Sequence, residues 1–131
     1  MGSATIEIRP LTGTCGAEIF GVDLREPLAP EVTAQVRSTL AERGVVFFRD
    51  QQLSPEQHKA FARSFGEIVV NPVYGHLEGH PEIMPVVKEP NDKYNIGDTW
   101  HSDMSYMDEP PLGSILYARE VPPHGGDTLW T

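Results

Sequence analysis

His101 and Asp103 stand two residues apart in the stretch Trp100-His101-Ser102-Asp103. On an extended segment, residues i and i+2 leave the same face, so this spacing presents an imidazole nitrogen and a carboxylate oxygen together. Such a pair is a mixed nitrogen and oxygen half-site suited to a divalent metal. One more histidine from elsewhere would complete the 2-His-1-carboxylate triad that holds non-haem iron(II) and leaves positions open for a bidentate cosubstrate and dioxygen. Taken alone, most His-x-Asp pairs are an ordinary surface histidine near a solvated carboxylate, and the same two groups would also serve a metal-dependent hydrolase. The pair therefore needs its context.

The elements that would carry these residues can be traced from the N-terminus. Residues Thr5 to Arg9 alternate, with Ile6 and Ile8 on one face and Glu7 and Arg9 on the other, which reads as a strand. A second short strand is expected around Ala17 to Phe20. A helix follows: Pro30 suits its first turn, Glu31 suits the positive end of its dipole, and Val32, Val36 and Leu40 recur every four residues. Arg43 and then Gly44 give the expected basic last turn and C-terminal cap. The run Val45-Val46-Phe47-Phe48 reads as a buried strand. Ser54-Pro55-Glu56-Gln57 reads as a capping box opening a second helix, with Phe61 and Phe65 on its apolar face and Gly66 closing it.

From Asn71 to Pro111 repeated prolines and glycines break any long element, and His76, His80, His101 and three tyrosines fall in this stretch. Long irregular stretches in compact domains are usually functional or mobile. His76 and His80 are expected to be solvated. Regular structure is expected again as strands over Leu112 to Val121 and Thr128 to Thr131.

Composition sets the limits. The chain has 131 residues, 39% hydrophobic and 22% charged, which suits one soluble globular domain. Its 12 Gly and 12 Pro predict many turns and prominent β structure. Ten basic against 19 acidic residues give a net charge of -9, which phosphate backbones and anionic lipid surfaces repel. Neither nucleic acid nor a membrane is expected as a partner. Cys15 is the only cysteine, so no internal disulfide forms and a reducing, cytoplasmic location fits. Met1-Gly2-Ser3 lacks the downstream Ser or Thr of a myristoylation signal, because Ile6 stands there.

The context of the His-x-Asp pair is specific. Trp100-His101-Ser102-Asp103 is followed by Glu109-Pro110-Pro111, by Gly113-Ser114-Ile115-Leu116-Tyr117, and by Pro122-Pro123-His124-Gly125-Gly126-Asp127-Thr128-Leu129-Trp130. This succession closely resembles the taurine dioxygenase (TauD/TfdA) family, whose pattern runs W-H-x-D, P-P, a strand, then G-G-D-T and an aromatic. The resemblance implies an Fe(II)- and 2-oxoglutarate-dependent dioxygenase. Such an enzyme uses O2 to hydroxylate an unactivated C–H bond of a small-molecule substrate and releases succinate and CO2. It makes His101 and Asp103 two iron ligands, and it makes Thr128 the hydroxyl that hydrogen-bonds a carboxylate of 2-oxoglutarate. Tyr74 matches a tyrosine lining the substrate pocket, and Trp100 is expected to wall that pocket. Asn71 falls where taurine dioxygenases place a sulfonate-binding histidine, and Gly97 where they have an asparagine. Both departures point away from taurine itself and leave the iron chemistry untouched; the substrate is expected to be a small organic anion.

The fold implied is α+β and mainly β: a double-stranded β-helix (jelly roll, cupin-like) with flanking helices, incomplete in this chain. Residues 1–131 are expected to form a single domain, the N-terminal portion of such a dioxygenase. The family's second iron histidine and the arginine that pairs with 2-oxoglutarate have no counterpart here, since no His or Arg follows His124. The expectation is that the 131-residue chain alone is inactive. The alternative is a non-catalytic truncated fragment or an oligomeric binding module of the same fold, with a homo-oligomer covering exposed strand edges.

Overall fold

The computed structural model describes residues 6–131; the Met1-Gly2-Ser3 start and Thr5 of the predicted first strand lie outside the described residues. The chain divides into two compact units, one running to Glu67 and including Ala118–Thr131, the other Ile68–Tyr117.

The first unit is built on three strands, β1 (Glu7–Pro10), β2 (Ala17–Phe20) and β3 (Val46–Phe47), in the order β1-β2-β3. β1 runs antiparallel to β2, with Ile8 opposite Ile19 and Arg9 opposite Glu18. The turn between them is tied by Thr12, whose hydroxyl accepts from the Cys15 amide at 2.9 Å and donates to the Cys15 carbonyl at 2.7 Å. β2 shows the period of two that a half-buried strand requires: Ala17 and Ile19 are fully enclosed, while Glu18 and Phe20 are half-buried. The first strand behaves differently from its sequence pattern. Ile6 joins the core, but Ile8 stays 38% exposed, on a strand that has one neighbour among the described residues.

Helix α1 (Pro30–Arg43) makes the crossover from β2 to β3, which lie parallel. Pro30 opens it, and Gly44, at φ 74°, ends it by donating its amide to the Leu40 carbonyl at 2.8 Å. Its buried face is Val32, Val36 and Thr39, with Leu40 only half-buried. The helical period explains this departure from the predicted stripe. Seven residues on from Val32 the helix has turned to within about 20° of the starting direction, whereas eight residues on it stands about 80° away. The buried Thr39 hydroxyl is satisfied by donating to the Gln35 carbonyl at 2.8 Å.

The predicted buried strand at Val45 to Phe48 is shorter and more open than expected. Only Val46 and Phe47 pair, against Ala17 and Glu18, and both are half-buried, since β3 forms the other sheet edge. Ile6, Ile19, Val32 and Val36 form the core, with Val22, Leu28, Val46, Phe48 and Phe65 packed against it. Burying Ile19 and Val36 almost completely contributes about 1.5–3 kcal/mol each.

Helix α2 (Pro55–Arg63) begins with the predicted capping box. The Gln57 amide donates to Ser54 Oγ at 3.2 Å, and the Ser54 amide donates to Gln57 Oε1 at 2.9 Å. Phe61 packs edge-on between Phe48 and Phe65, with ring centroids 5.5 and 5.2 Å apart. The helix stops earlier than expected. Ser64, not Gly66, takes the C-cap, its hydroxyl donating to the Phe61 carbonyl at 2.6 Å. Phe65 therefore reaches the core from beyond the helix end.

The second unit holds no helix or paired strand of its own; turns organise it, with one isolated bridge between Leu77 and His80. The Leu77 amide donates to the Ile83 carbonyl at 2.8 Å, closing a small loop that buries His80 Nδ1. His80 is thus half-buried, with its Nδ1 shielded from solvent, while His76 is exposed as expected. Leu112–Val121 and Thr128–Thr131 are not strands in this structure, because no strand among the described residues lies alongside to accept and donate their ladder bonds. No helix among the described residues is long and apolar enough to cross a membrane.

Removing the reciprocal cap tests how much α2 holds the unit together. Ser54→Ala is expected to lower stability by about 1 kcal/mol in urea denaturation, with the slope against denaturant unchanged.

Candidate metal centre

The second unit brings His101 and Asp103 into contact: His101 Nε2 lies 3.1 Å from Asp103 Oδ1, and each side chain is half exposed. No regular element positions them. Instead each is fixed on its far side by one hydrogen bond. His101 Nδ1 lies 2.6 Å from the Thr99 carbonyl. A carbonyl oxygen can only accept, so Nδ1 carries the proton and Nε2 of the neutral ring is left with a lone pair. Asp103 Oδ2 accepts from Ser114 Oγ at 2.8 Å, which leaves Oδ1 turned toward the imidazole. Met104, next in the chain, sits at φ 51° and bends the backbone sharply away after the carboxylate.

This arrangement sets two acceptors against each other. A neutral His101 and an ionised Asp103 would point lone pairs together across 3.1 Å, which is repulsive until a cation is shared between them. A proton is one such cation. The Thr99 carbonyl first, and the Asp103 carboxylate after it, hold the His101 pKa above the usual histidine value, with desolvation opposing them. A divalent metal is the other. Two ligands at right angles, each about 2.1 Å from a small divalent ion, stand about 3 Å apart, so the observed separation fits neighbouring positions on one metal. The anchored Nδ1–H and the anchored second carboxylate oxygen are the outer hydrogen bonds that metal ligands normally carry. Among the described residues no third histidine, cysteine or carboxylate joins the pair to form a group able to hold a metal ion.

Gly97 explains why the imidazole can lie where it does. Its φ is +73°, and a Cβ there would stand 3.0 Å from His101 Cε1. The ring occupies the space that a side chain would fill.

The remaining predicted residues are distributed as follows. Asn71 is half-buried, and its Oδ1 accepts from the Val73 amide at 2.9 Å and the Tyr74 amide at 3.3 Å, so its side chain organises its own turn. Its carbonyl is 3.0 Å from His76 Nε2. Tyr74 is 46% and Trp100 67% exposed. None of these three borders an open cleft of about 670 Å³ in this unit, which is lined by Val69, Tyr106, Met107, Asp108 and Glu109. Thr128 belongs to the first unit and is exposed in an irregular segment, two residues after two glycines with positive φ. Sequence reasoning assigned no role to Thr99 or Ser114, and singled out Gly97 only as a departure bearing on the substrate. The Thr99 contact is local, but Ser114 stands eleven residues from Asp103, beyond any spacing rule.

Residues 7–131 match the family described as taurine catabolism dioxygenase TauD, TfdA family. The chain belongs to the TauD/TfdA family. Among its TauD/TfdA relatives, an alkylsulfatase from Acinetobacter baylyi is 34% identical over 95% of this chain and 39% of the relative. An alpha-ketoglutarate-dependent sulfate ester dioxygenase from Pseudomonas putida is 30% identical over 95% of this chain and 41% of its own length. The chain thus spans about two fifths of the length of these curated relatives. A crystal structure of a taurine dioxygenase from Burkholderia xenovorans superposes with a TM-score of 0.54 at 49% identity, covering 58% of this chain and 28% of that one.

Two outcomes follow for the metal-free protein. The ring-proton NMR titration of His101 should have its midpoint above 6.5, and Asp103→Asn should lower it; a wild-type midpoint at or below 6.5 would contradict the contacts described. Gly97→Ala should displace the ring, seen as a changed His101 chemical shift with the circular dichroism of the chain retained.

Proposed function

We propose that this TauD/TfdA chain carries two iron ligands of an Fe(II)- and 2-oxoglutarate-dependent dioxygenase that hydroxylates an unactivated C–H bond of a small organic anion. The observation that carries this reading is the His101–Asp103 pair, two lone-pair donors held 3.1 Å apart by separate anchors. In the proposed site His101 Nε2 and Asp103 Oδ1 hold the iron. Thr128 donates its hydroxyl to a carboxylate of 2-oxoglutarate. Asn71, Tyr74 and Trp100 face the substrate. Bound iron(II) and 2-oxoglutarate supply the oxidising chemistry, in which O2 is consumed and succinate, CO2 and the hydroxylated product leave. The residues supply placement: Thr99 fixes the histidine tautomer, and the short His-x-Asp spacing leaves other positions around the metal open.

The same reading extends to the fold and the setting. The three strands belong to a double-stranded β-helix, and residues 1–131 to one domain of it. The protein works in the cytoplasm, with a small-molecule substrate and O2 as partners, no nucleic acid or membrane, and self-association available at its strand edges. A sulfate ester or sulfonate is a small organic anion of the kind meant, and the names of the Acinetobacter and Pseudomonas relatives support that class.

The native protein carrying this sequence should develop a visible metal-to-ligand charge-transfer band when loaded anaerobically with iron(II) and 2-oxoglutarate. His101→Ala and Asp103→Ala should each abolish the band and the coupled release of CO2 from 2-oxoglutarate. A band that survives both substitutions, or ester hydrolysis that needs the metal but no 2-oxoglutarate, would overturn the reading.

A further inference from the structure

The carboxylate of Asp103 has two oxygens with different surroundings. Oδ1 faces His101 Nε2 at 3.1 Å, and Oδ2 accepts a hydrogen bond of 2.8 Å from Ser114 Oγ. Ser114 comes from a segment eleven residues further along the chain, so the bond also staples two stretches of the second unit that no strand or helix joins.

Chemically, the bond decides what kind of ligand Asp103 is. An aspartate on a flexible turn, half exposed, rotates freely about its last bond and can bind a cation through one oxygen or through both. Binding through both takes an additional coordination position. A hydroxyl donating to Oδ2 ties up that oxygen and leaves Oδ1 as the single donor beside the imidazole. We propose that Ser114 is the positioning residue for the Asp103 carboxylate: it holds Asp103 as a one-oxygen ligand in register with His101 Nε2 and so keeps a further metal position open. The inference rests on the reading of His101 and Asp103 as metal ligands. It goes beyond that reading by assigning the second carboxylate oxygen and its partner.

Cobalt(II) is a suitable probe, because its visible absorption reports both affinity and coordination number. The protein would be titrated anaerobically with cobalt(II) to millimolar concentration, alongside Ser114→Ala, Ser114→Thr, Ser114→Val and Asp103→Ala. Thr and Val have the same shape and differ in the hydroxyl, so comparing them isolates the bond even if the alanine variant folds poorly. Ser114→Val and Ser114→Ala should bind cobalt about 10-fold or more weakly, with an altered absorption envelope, and Ser114→Thr should restore both. Equal affinity and spectra for the Thr and Val variants, with binding still lost in Asp103→Ala, would overturn the role of Ser114 and leave the metal site standing. Cobalt binding that is absent in the wild type, or that survives Asp103→Ala, would overturn the metal site and the role of Ser114 together.

Discussion

A strand exists only where its amide and carbonyl groups find partners, and among the described residues β2 alone finds them on both sides. β1 bonds it from one edge and β3 from the other, so Ala17 and Ile19 are the residues the sheet encloses most fully. The crossover through α1 follows from that arrangement. Two parallel strands cannot be joined by a tight turn, and α1 spans the gap while laying Val32 and Val36 over Ile19. Wherever a second ladder partner is missing, regularity fades. β3 is only two residues long, Ile8 remains part-exposed, and the apolar runs around Leu112 and Leu129 stay irregular.

The candidate site obeys the same accounting by other means. It has no sheet or helix to rest on, so side chains and single carbonyls replace the ladder. Thr99 and Ser114 each satisfy the far atom of one acid–base group and leave the near atoms, Nε2 and Oδ1, turned toward each other. The lone-pair repulsion between those near atoms is offset only when a cation is present. A location that is electrostatically uncomfortable without its guest is a common design for a binding centre, and here it arises from two short hydrogen bonds and one missing side chain, that of Gly97.

What could be read in advance depended on the range of the forces concerned. Capping, helix start and short strands are decided within about one turn of chain, and Ser54 with Gln57, Gly44 beyond Arg43, and the strand from Ala17 to Phe20 were all legible. The choice of Thr39 over Leu40 was legible in principle, since it follows from the helical period alone. The meeting of His101 with Asp103 could be anticipated from their spacing of two. Its anchoring could not: the Asp103–Ser114 bond joins residues whose approach is set by turns, and turns dense in Gly and Pro carry weak long-range information. The early end of α2 belongs to the same class, because Ser64 competes for the cap only once its hydroxyl reaches the Phe61 carbonyl.

The makeup of β1 has a consequence for how the protein behaves in a crowded solution. Among the described residues nothing pairs with its outer side, which makes it the sort of border onto which a stray extended peptide can add itself. Glu7 and Arg9 face solvent there and clasp each other at 2.6 Å, and the strand closes on Pro10, which has no amide proton to offer. An incoming strand would have to break or bury that ion pair and would meet a gap in the donor row at the proline. The border is therefore guarded against amyloid-like growth, and a neighbour that docks there must bring charges of its own to match Glu7 and Arg9.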